Sequence, residues 1–324
     1  MVNDTKIPVA AQWTFVPIFA TTILIAVLLT NTPVLIQLLL RPHLRTAFNI
    51  YLVNLLIANL LLVVFQNPLD ILEALYSGWW MGWKVCNLYI YANYVLGGVI
   101  MLTHVLIAVN RIWAVTFPVH YRHKHTKCVA LGICLVSWMW IHLLILPGII
   151  TDALYYRKPV ESFGCQVNNA AQAVWAMTMH WVLYVLPTPF ILASFPYVII
   201  KQMRHKRLVH SRLLPTDAGG NEKRPSRTAT ENRNMHHADS VNAASTENKE
   251  QKRSKGMLIF ALLTASIFFT WTPGRVYFTI KLYTSIDNNL AFQICYVLFA
   301  CQSALDPLLF IVALKDLRGM LTPS

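Results

Sequence analysis

Charge is what this chain has least of. Asp and Glu together number 14 among 324 residues, charged residues of both signs make up 13%, and hydrophobic residues make up 56%. So little polar surface cannot coat soluble domains of this length, and the mean hydropathy of +0.48 agrees. The residue sets that carry enzyme chemistry are also missing. There is no nucleophile, base and acid set, no metal-ligand spacing and no glycine-rich phosphate loop. An enzyme is therefore not expected, and neither a cofactor nor a metal is implied. His104 and His180 stand alone in apolar surroundings and read as packed side chains. The two halves of the chain do not repeat a hydropathy pattern, which argues against a transporter. No basic segment followed by a short apolar core and small residues opens the sequence, so no cleavable signal peptide is read. The first apolar run is expected to act as its own insertion signal.

What remains is seven apolar runs, at about 13–40, 47–75, 84–115, 128–150, 174–203, 257–283 and 290–314. Each is long enough to cross a ~30 Å hydrocarbon core as a helix. Open segments in lipid satisfy their backbone groups only as helices, so the expected fold is all-α, a seven-transmembrane helix bundle. The third run organises the rest: from Cys86 to Arg111 it rises ~37 Å, which places those residues at opposite faces of the membrane. The net charge of +13 would suggest nucleic acid in a soluble protein, but its distribution excludes that. Arg41, Arg45, Arg122, Lys124, Lys127 and a dense set from Lys201 to Lys255 fall in alternate loops. Those loops are expected to be cytoplasmic, beside anionic membrane lipid, with the N-terminus extracellular. Residues 1–12 form that terminus, with a glycosylation acceptor at Asn3. Residues 204–252 read as a disordered cytoplasmic loop and 315–324 as a short cytoplasmic tail.

Polar residues inside apolar runs are the next signal. Asn31, Asn49, Asn54 and Asn59 lie in the first two, and Ser303 and Asp306 in the seventh. In hydrocarbon such groups face inward and bond one another. The tryptophans of Ser77 to Trp83 read as an interfacial belt. Of six cysteines, only Cys86 and Cys165 reach the outer face, where they can pair. Cys128, Cys134, Cys295 and Cys301 read as small buried apolar residues.

Seven runs carrying these marks resemble a rhodopsin-like (class A) G-protein-coupled receptor. Asn31, the NLLIANL segment at Asn54 to Leu60, Trp138, and Pro189 with Tyr197 correspond to the family's marks in spans one, two, four and five. Cys86 and Cys165 match its disulfide. Within the family, RPHLRT, NRIWAVTFPVHYRHKHT and TWTP are similar to muscarinic acetylcholine and biogenic amine receptors. The resemblance implies an extracellular ligand, a heterotrimeric G protein as partner, and a plasma-membrane location. It implies a ligand site at Asn93, Tyr94, Trp271, Gly274, Arg275 and Tyr296. It also implies coupling and switch positions at Asn110, Arg111, Tyr197, Arg253, Pro273, Asp306, Pro307 and Phe310, and a mid-membrane polar site at Asn31, Asn59, Ser303 and Asp306.

The departures fall at the functional positions. Where amine receptors carry an aspartate for the ligand ammonium, this chain has Asn93, which forgoes about 4 kcal/mol of attraction at 4 Å. Where muscarinic receptors have an asparagine beyond the sixth-span proline, this chain has Arg275, which repels a cation and suits a carboxylate. The ligand is thus not expected to be a simple amine. Asn110 stands in place of an acidic residue before Arg111, and Arg253 in place of a glutamate, so the family's ionic lock cannot form. The family's second-span aspartate is Asn59 here and its seventh-span asparagine is Asp306, so the single carboxylate has changed walls. Phe310 replaces the tyrosine of the same seventh-span motif. Ala300 replaces the lysine that would bind retinal. These changes also fit a receptor relative that no longer signals and acts as a partner or decoy.

Overall fold

A computed structural model of the chain describes residues 10–76, 78–213, 257–284 and 288–314. Among the described residues the regular structure is helical throughout. Seven helices are long and apolar enough to cross a membrane: α1 (Phe15–Leu40), α2 (Asn49–Leu75), α3 (Gly82–Thr116), α4 (Lys127–Tyr156), α5 (Ala173–Arg204), α6 (Met257–Lys281) and α7 (Leu290–Ala313). Asn3, Arg253, most of 204–252 and residues 315–324 lie outside the described residues.

Helix starts follow local chemistry. Thr126 caps α4 by accepting from the Val129 N–H at 3.3 Å, and Asn288 caps α7 by accepting from Ala291 at 3.0 Å. Pro118 opens the short helix Pro118–Lys124, where its missing N–H costs nothing. Breaks follow proline too. Helix α2 is interrupted at Gln66, just before Asn67 and Pro68, and α6 restarts at Thr272 and Pro273. Three wide π turns fall at Ala92–Leu96 in α3, Asp152–Tyr156 in α4 and His180–Val185 in α5. All three lie toward the end of the bundle that carries the disulfide, and such turns recur at functional sites.

Helix α4 runs past 150 to Tyr156, beyond its apolar run. Asp152 makes this possible: its buried carboxylate is paired with Arg157 and accepts the Asn168 N–H at 2.9 Å, so helix can continue through a charged position. The Cys86–Cys165 disulfide, with Cα atoms 5.5 Å apart, ties the start of α3 to the chain after α4. Cys134 and Cys295 are buried, but Cys128 is exposed in the first turn of α4. That corrects the expectation of a buried residue there: the α4 start points Cys128 away from its neighbours.

Helix α3 is the hub. It packs against α2, α4 and α5, while α1 packs on α2 and α7, and α6 on α7. Phe195 and Phe260, with centroids 5.9 Å apart, join α5 to α6. Asn54 on α2 donates to Thr103 on α3 at 2.7 Å and accepts the Trp138 indole N–H of α4 at 2.8 Å, so one amide fastens three helices. Close approach also needs Gly148, where the Trp175 ring of α5 fills the space a side chain would take.

Gly148→Ala forces that ring aside and is expected to cost about 1–3 kcal/mol. The cost reads out as a lower unfolding temperature of the purified protein, and Trp175→Leu in the same chain should recover most of it. A neutral Gly148→Ala would show that the ring moves freely.

Candidate functional site

The polar side chains of the bundle gather at three levels. Nearest the disulfide, α6 restarts just after Trp271, and Arg275 lies one turn beyond Trp271. Its guanidinium carbon is 4.4 Å from the Tyr184 ring centroid, 4.9 Å from Trp271 and 5.6 Å from Phe299. Three aromatic faces, from α5, α6 and α7, therefore surround one cation of the protein itself. Stacking does not satisfy its N–H groups: Nε and Nη2 are buried and make no hydrogen bond. Each such donor costs about 1–3 kcal/mol if left unmet, so the arrangement favours an acceptor arriving between the helices.

The other expected ligand residues divide around this cation. Trp271 forms its floor, and the Trp271 ring also lies 4.8 Å from Phe299. Tyr94 faces Trp175 at 6.1 Å, and its backbone carbonyl accepts the Tyr184 hydroxyl at 3.2 Å. Tyr296 belongs to a separate group, within electrostatic reach of Asp70 and Tyr89. Asn93 is exposed in the α3 π turn, one helical turn from Tyr89. Gly274 lies at the α6–α7 seam, where a Cβ would be 3.8 Å from Cys295. Tyr184 and Phe299 were not anticipated. Both lie in apolar stretches where an aromatic residue gives no sign of its use.

The second level is mid-bundle. Asn31 donates to the Ser303 carbonyl at 2.9 Å, the Ser303 hydroxyl to Asn59 at 3.2 Å, and the Asn59 amide to Asp306 Oδ2 at 3.2 Å. The four residues singled out for this level are thus joined in one chain of bonds. Gln302, one turn before Asp306, donates to Oδ1 at 2.5 Å and accepts from Thr270 at 2.5 Å. His104, read as a packed side chain, has Nε2 3.6 Å from Asp306 Oδ1. Its Nδ1 meets the Ile100 carbonyl at 2.9 Å; a carbonyl only accepts, so Nδ1 carries a proton. His104 also faces Trp271, with centroids 6.1 Å apart, which links this level to the first. Among the described residues no group of three or more His, Cys, Asp or Glu converges to hold a metal ion.

The third level holds Arg111. Its guanidinium carbon lies 3.4 Å over the ring of Phe48, at the start of α2, and its Nε is buried without a hydrogen bond. An aromatic face takes the place of an acid. Asn110 donates to His125 Nε2 at 2.9 Å and accepts the Tyr121 hydroxyl at 3.2 Å, while Tyr51 meets His125 at 3.3 Å. Burial and the nearby Arg111 guanidinium push the His125 imidazole down to about 4. A neutral ring leaves Nε2 free to accept from Asn110. Tyr197 reaches Thr116 at 3.0 Å, tying α5 to the end of α3. Phe310 is fully buried in α7, three residues past Pro307, and Pro273 stands where α6 restarts.

Comparison with known proteins places the chain in context. The family model described as 7 transmembrane receptor (rhodopsin family) matches residues 30–310. A thyrotropin-releasing hormone receptor of Gallus gallus is 22% identical over 299 residues, which are 89% of this chain and 73% of that protein. Melatonin receptor type 1B of Homo sapiens is 28% identical over 193 residues, 56% of this chain and 51% of that protein. 5-hydroxytryptamine receptor 6 of Mus musculus is 22% identical over 282 residues, 87% of this chain and 64% of that protein. The chain thus spans about half to three quarters of these proteins' lengths, and their names point to three different ligands.

Two outcomes follow from this geometry. Asn59→Asp would set two carboxylates against each other across a 3.2 Å contact. Folded yield and unfolding temperature should fall, by an amount on the order of 3 kcal/mol. Adding Asp306→Asn should restore them, and an Asn59→Asp protein as stable as the parent would show that Asp306 is already neutral. For His125, the folded state binds its proton only near pH 4 and the unfolded chain near 6.5, so the unfolded state takes up more protons between them. Stability from this group is therefore complete above about pH 6.5 and declines toward pH 4. His125→Gln should flatten that part of the unfolding temperature profile.

Proposed function

Because this chain belongs to the rhodopsin family of seven-transmembrane receptors, we propose that it is a plasma-membrane receptor. In this reading it binds an extracellular ligand between α3, α5, α6 and α7 and passes the event to a heterotrimeric G protein. The disulfide end then faces outward with the N-terminus, and the Arg111 end faces the cytoplasm. The basic residues Arg41, Arg45, Arg122, Lys124 and Lys127, all near the Arg111 end, support that orientation and contact with anionic lipid.

The observation that carries the reading is the unsatisfied guanidinium of Arg275 layered on Trp271, where proline breaks α6. A ligand group that bonds Arg275 pulls on the side chain stacked against Trp271. Trp271 in turn meets Phe299 and His104, and His104 meets Asp306. The break at Pro273 lets the cytoplasmic half of α6 swing without breaking a continuous hydrogen-bond ladder. At the far end, movement of α6 would free Arg111 from Phe48 to meet the G protein. A simple amine fits poorly, since Arg275 already fills the aromatic faces with positive charge and Asn93 offers no counter-charge. A second reading, a receptor relative that does not signal, is favoured by the neutral Asn110 and by Phe310, which lacks a hydroxyl.

Nucleotide exchange on purified heterotrimers decides between them. The full-length protein in lipid nanodiscs is expected to accelerate GDP release from at least one heterotrimer class. Phe48→Ala removes the aromatic face that holds Arg111 and should raise basal exchange by up to about thirtyfold, since a desolvated cation–π contact is worth up to ~2 kcal/mol. Failure of both proteins with every heterotrimer would favour the non-signalling relative.

A further inference from the structure

The same end of the bundle also holds two acidic side chains that no ion pair among the described residues matches with a basic partner. Among the described residues Asp152 pairs with Arg157, and His104 Nε2 lies 3.6 Å from Asp306. Asp70 and Glu73 on α2 and Arg275 on α6 are in neither. Asp70 accepts the Tyr89 hydroxyl of α3 at 2.7 Å and lies within electrostatic reach of Tyr296 on α7. Glu73, one turn along the same face of α2, reaches toward Gly164, the residue beside the disulfide, where a Cβ would lie 3.8 Å from Oε1. Gly164 itself has φ +74°, a conformation that admits the close approach of that loop. An ionisable side chain inside a membrane bundle with no counter-charge beside it marks a candidate functional site. Here there are two such marks with opposite signs.

Their separation follows from the helices they share. Tyr296, within electrostatic reach of Asp70, and Phe299, under Arg275, are three residues apart on α7 and so lie on one face. On α3, Tyr89 bonds the acid, and the Tyr94 carbonyl receives the hydroxyl of the tyrosine that stacks on Arg275. Both helices place the acids about one turn nearer the disulfide than the guanidinium. Adding one helix-to-helix spacing across the bundle gives a separation on the order of 10 Å. A single amino acid or a simple amine cannot bridge that; about three extended residues can.

We infer that the ligand is bipolar, a short peptide of about three residues whose free carboxylate bonds Arg275 and whose basic end bonds Asp70 and Glu73. This rests on the reading of the α3, α5, α6 and α7 space as the ligand site. The carboxylate enters first and takes the two open N–H groups of the guanidinium. The amino end stays at the mouth, beneath the disulfide loop. Each end is recognised by charge, so blocking either end removes one of two contacts.

The test reads binding and not signalling, so its failure is separable from failure of the receptor reading, which nucleotide exchange decides. Purified full-length protein in nanodiscs is incubated with a synthetic tripeptide library, and retained peptides are identified by mass spectrometry. Peptides so selected are then compared with free ends, with an amidated C-terminus and with an acetylated N-terminus. Either blocking is expected to weaken binding by at least about tenfold. In Arg275→Gln the cost of amidation should vanish while that of acetylation persists. Asp70→Asn with Glu73→Gln should show the reverse. Retention of no tripeptide overturns the proposal, as does equal binding of free and blocked forms. Unfolding temperatures of the variants confirm that each is folded, and Arg275→Lys, which keeps the charge, should retain part of the preference for the free carboxylate.

Discussion

An ionised group buried among helices in hydrocarbon costs several kcal/mol unless partners surround it, and the bundle is arranged around two groups of opposite sign, Asp306 and Arg275. Asp306 has polar neighbours from three helices. Asn59 comes from α2, His104 from α3 and Gln302 from its own helix, and Asn31 and Ser303 extend the chain of bonds to α1. Arg275 is met only by ring faces. One group is thus held by hydrogen-bonding neighbours, and the other keeps two buried nitrogens without a hydrogen bond. Helix α3 touches both levels through His104 and through the π turn at Tyr94, which explains why the hub helix is also the most deeply buried.

The departures from the family pattern make physical sense as a set. A receptor for ammonium ligands places a carboxylate opposite an aromatic cage. Here the neutral Asn93 removes the carboxylate, and the rings of Tyr184, Trp271 and Phe299 enclose an internal guanidinium instead. At the other end, the loss of an acid beside Arg111 is met in the same way, by the face of Phe48, while Asn110 turns to Tyr121 and His125. Twice in this chain an aromatic face does what a carboxylate does elsewhere in the family.

The architecture was legible because lipid leaves so few choices: apolar length and the placement of basic loops were enough to mark seven helices. The mid-bundle network was legible in part. Asn31, Asn59, Ser303 and Asp306 are polar residues in apolar runs, and a polar residue there must find another. His104 carried the same signal and was set aside as packing because nothing along the sequence joins α3 to α7. The partners of Arg275 were not legible, since Tyr184 and Phe299 are two among many aromatic residues in apolar stretches and only the fold brings them together. Asp70 and Glu73 have nothing in the sequence that sets them apart from other charges near the end of a span, although their spacing of three residues puts them on one helix face. The π turns at Asn93 and His180 have no sequence signature that periodicity detects.

The central claim is that Arg275 is an internal cation, clasped by rings and with N–H groups still open. Nitrogen-15 labelling of arginine tests it directly, because a guanidinium over aromatic faces has its Nε–H proton shifted upfield by ring currents and shielded from water. The account predicts an upfield, slowly exchanging Nε–H resonance in the ligand-free protein that disappears in Arg275→Gln and moves when an acidic ligand binds. If Arg275→Gln removes only a resonance at the position and exchange rate of a water-exposed arginine, the guanidinium is not between the rings and the account is wrong.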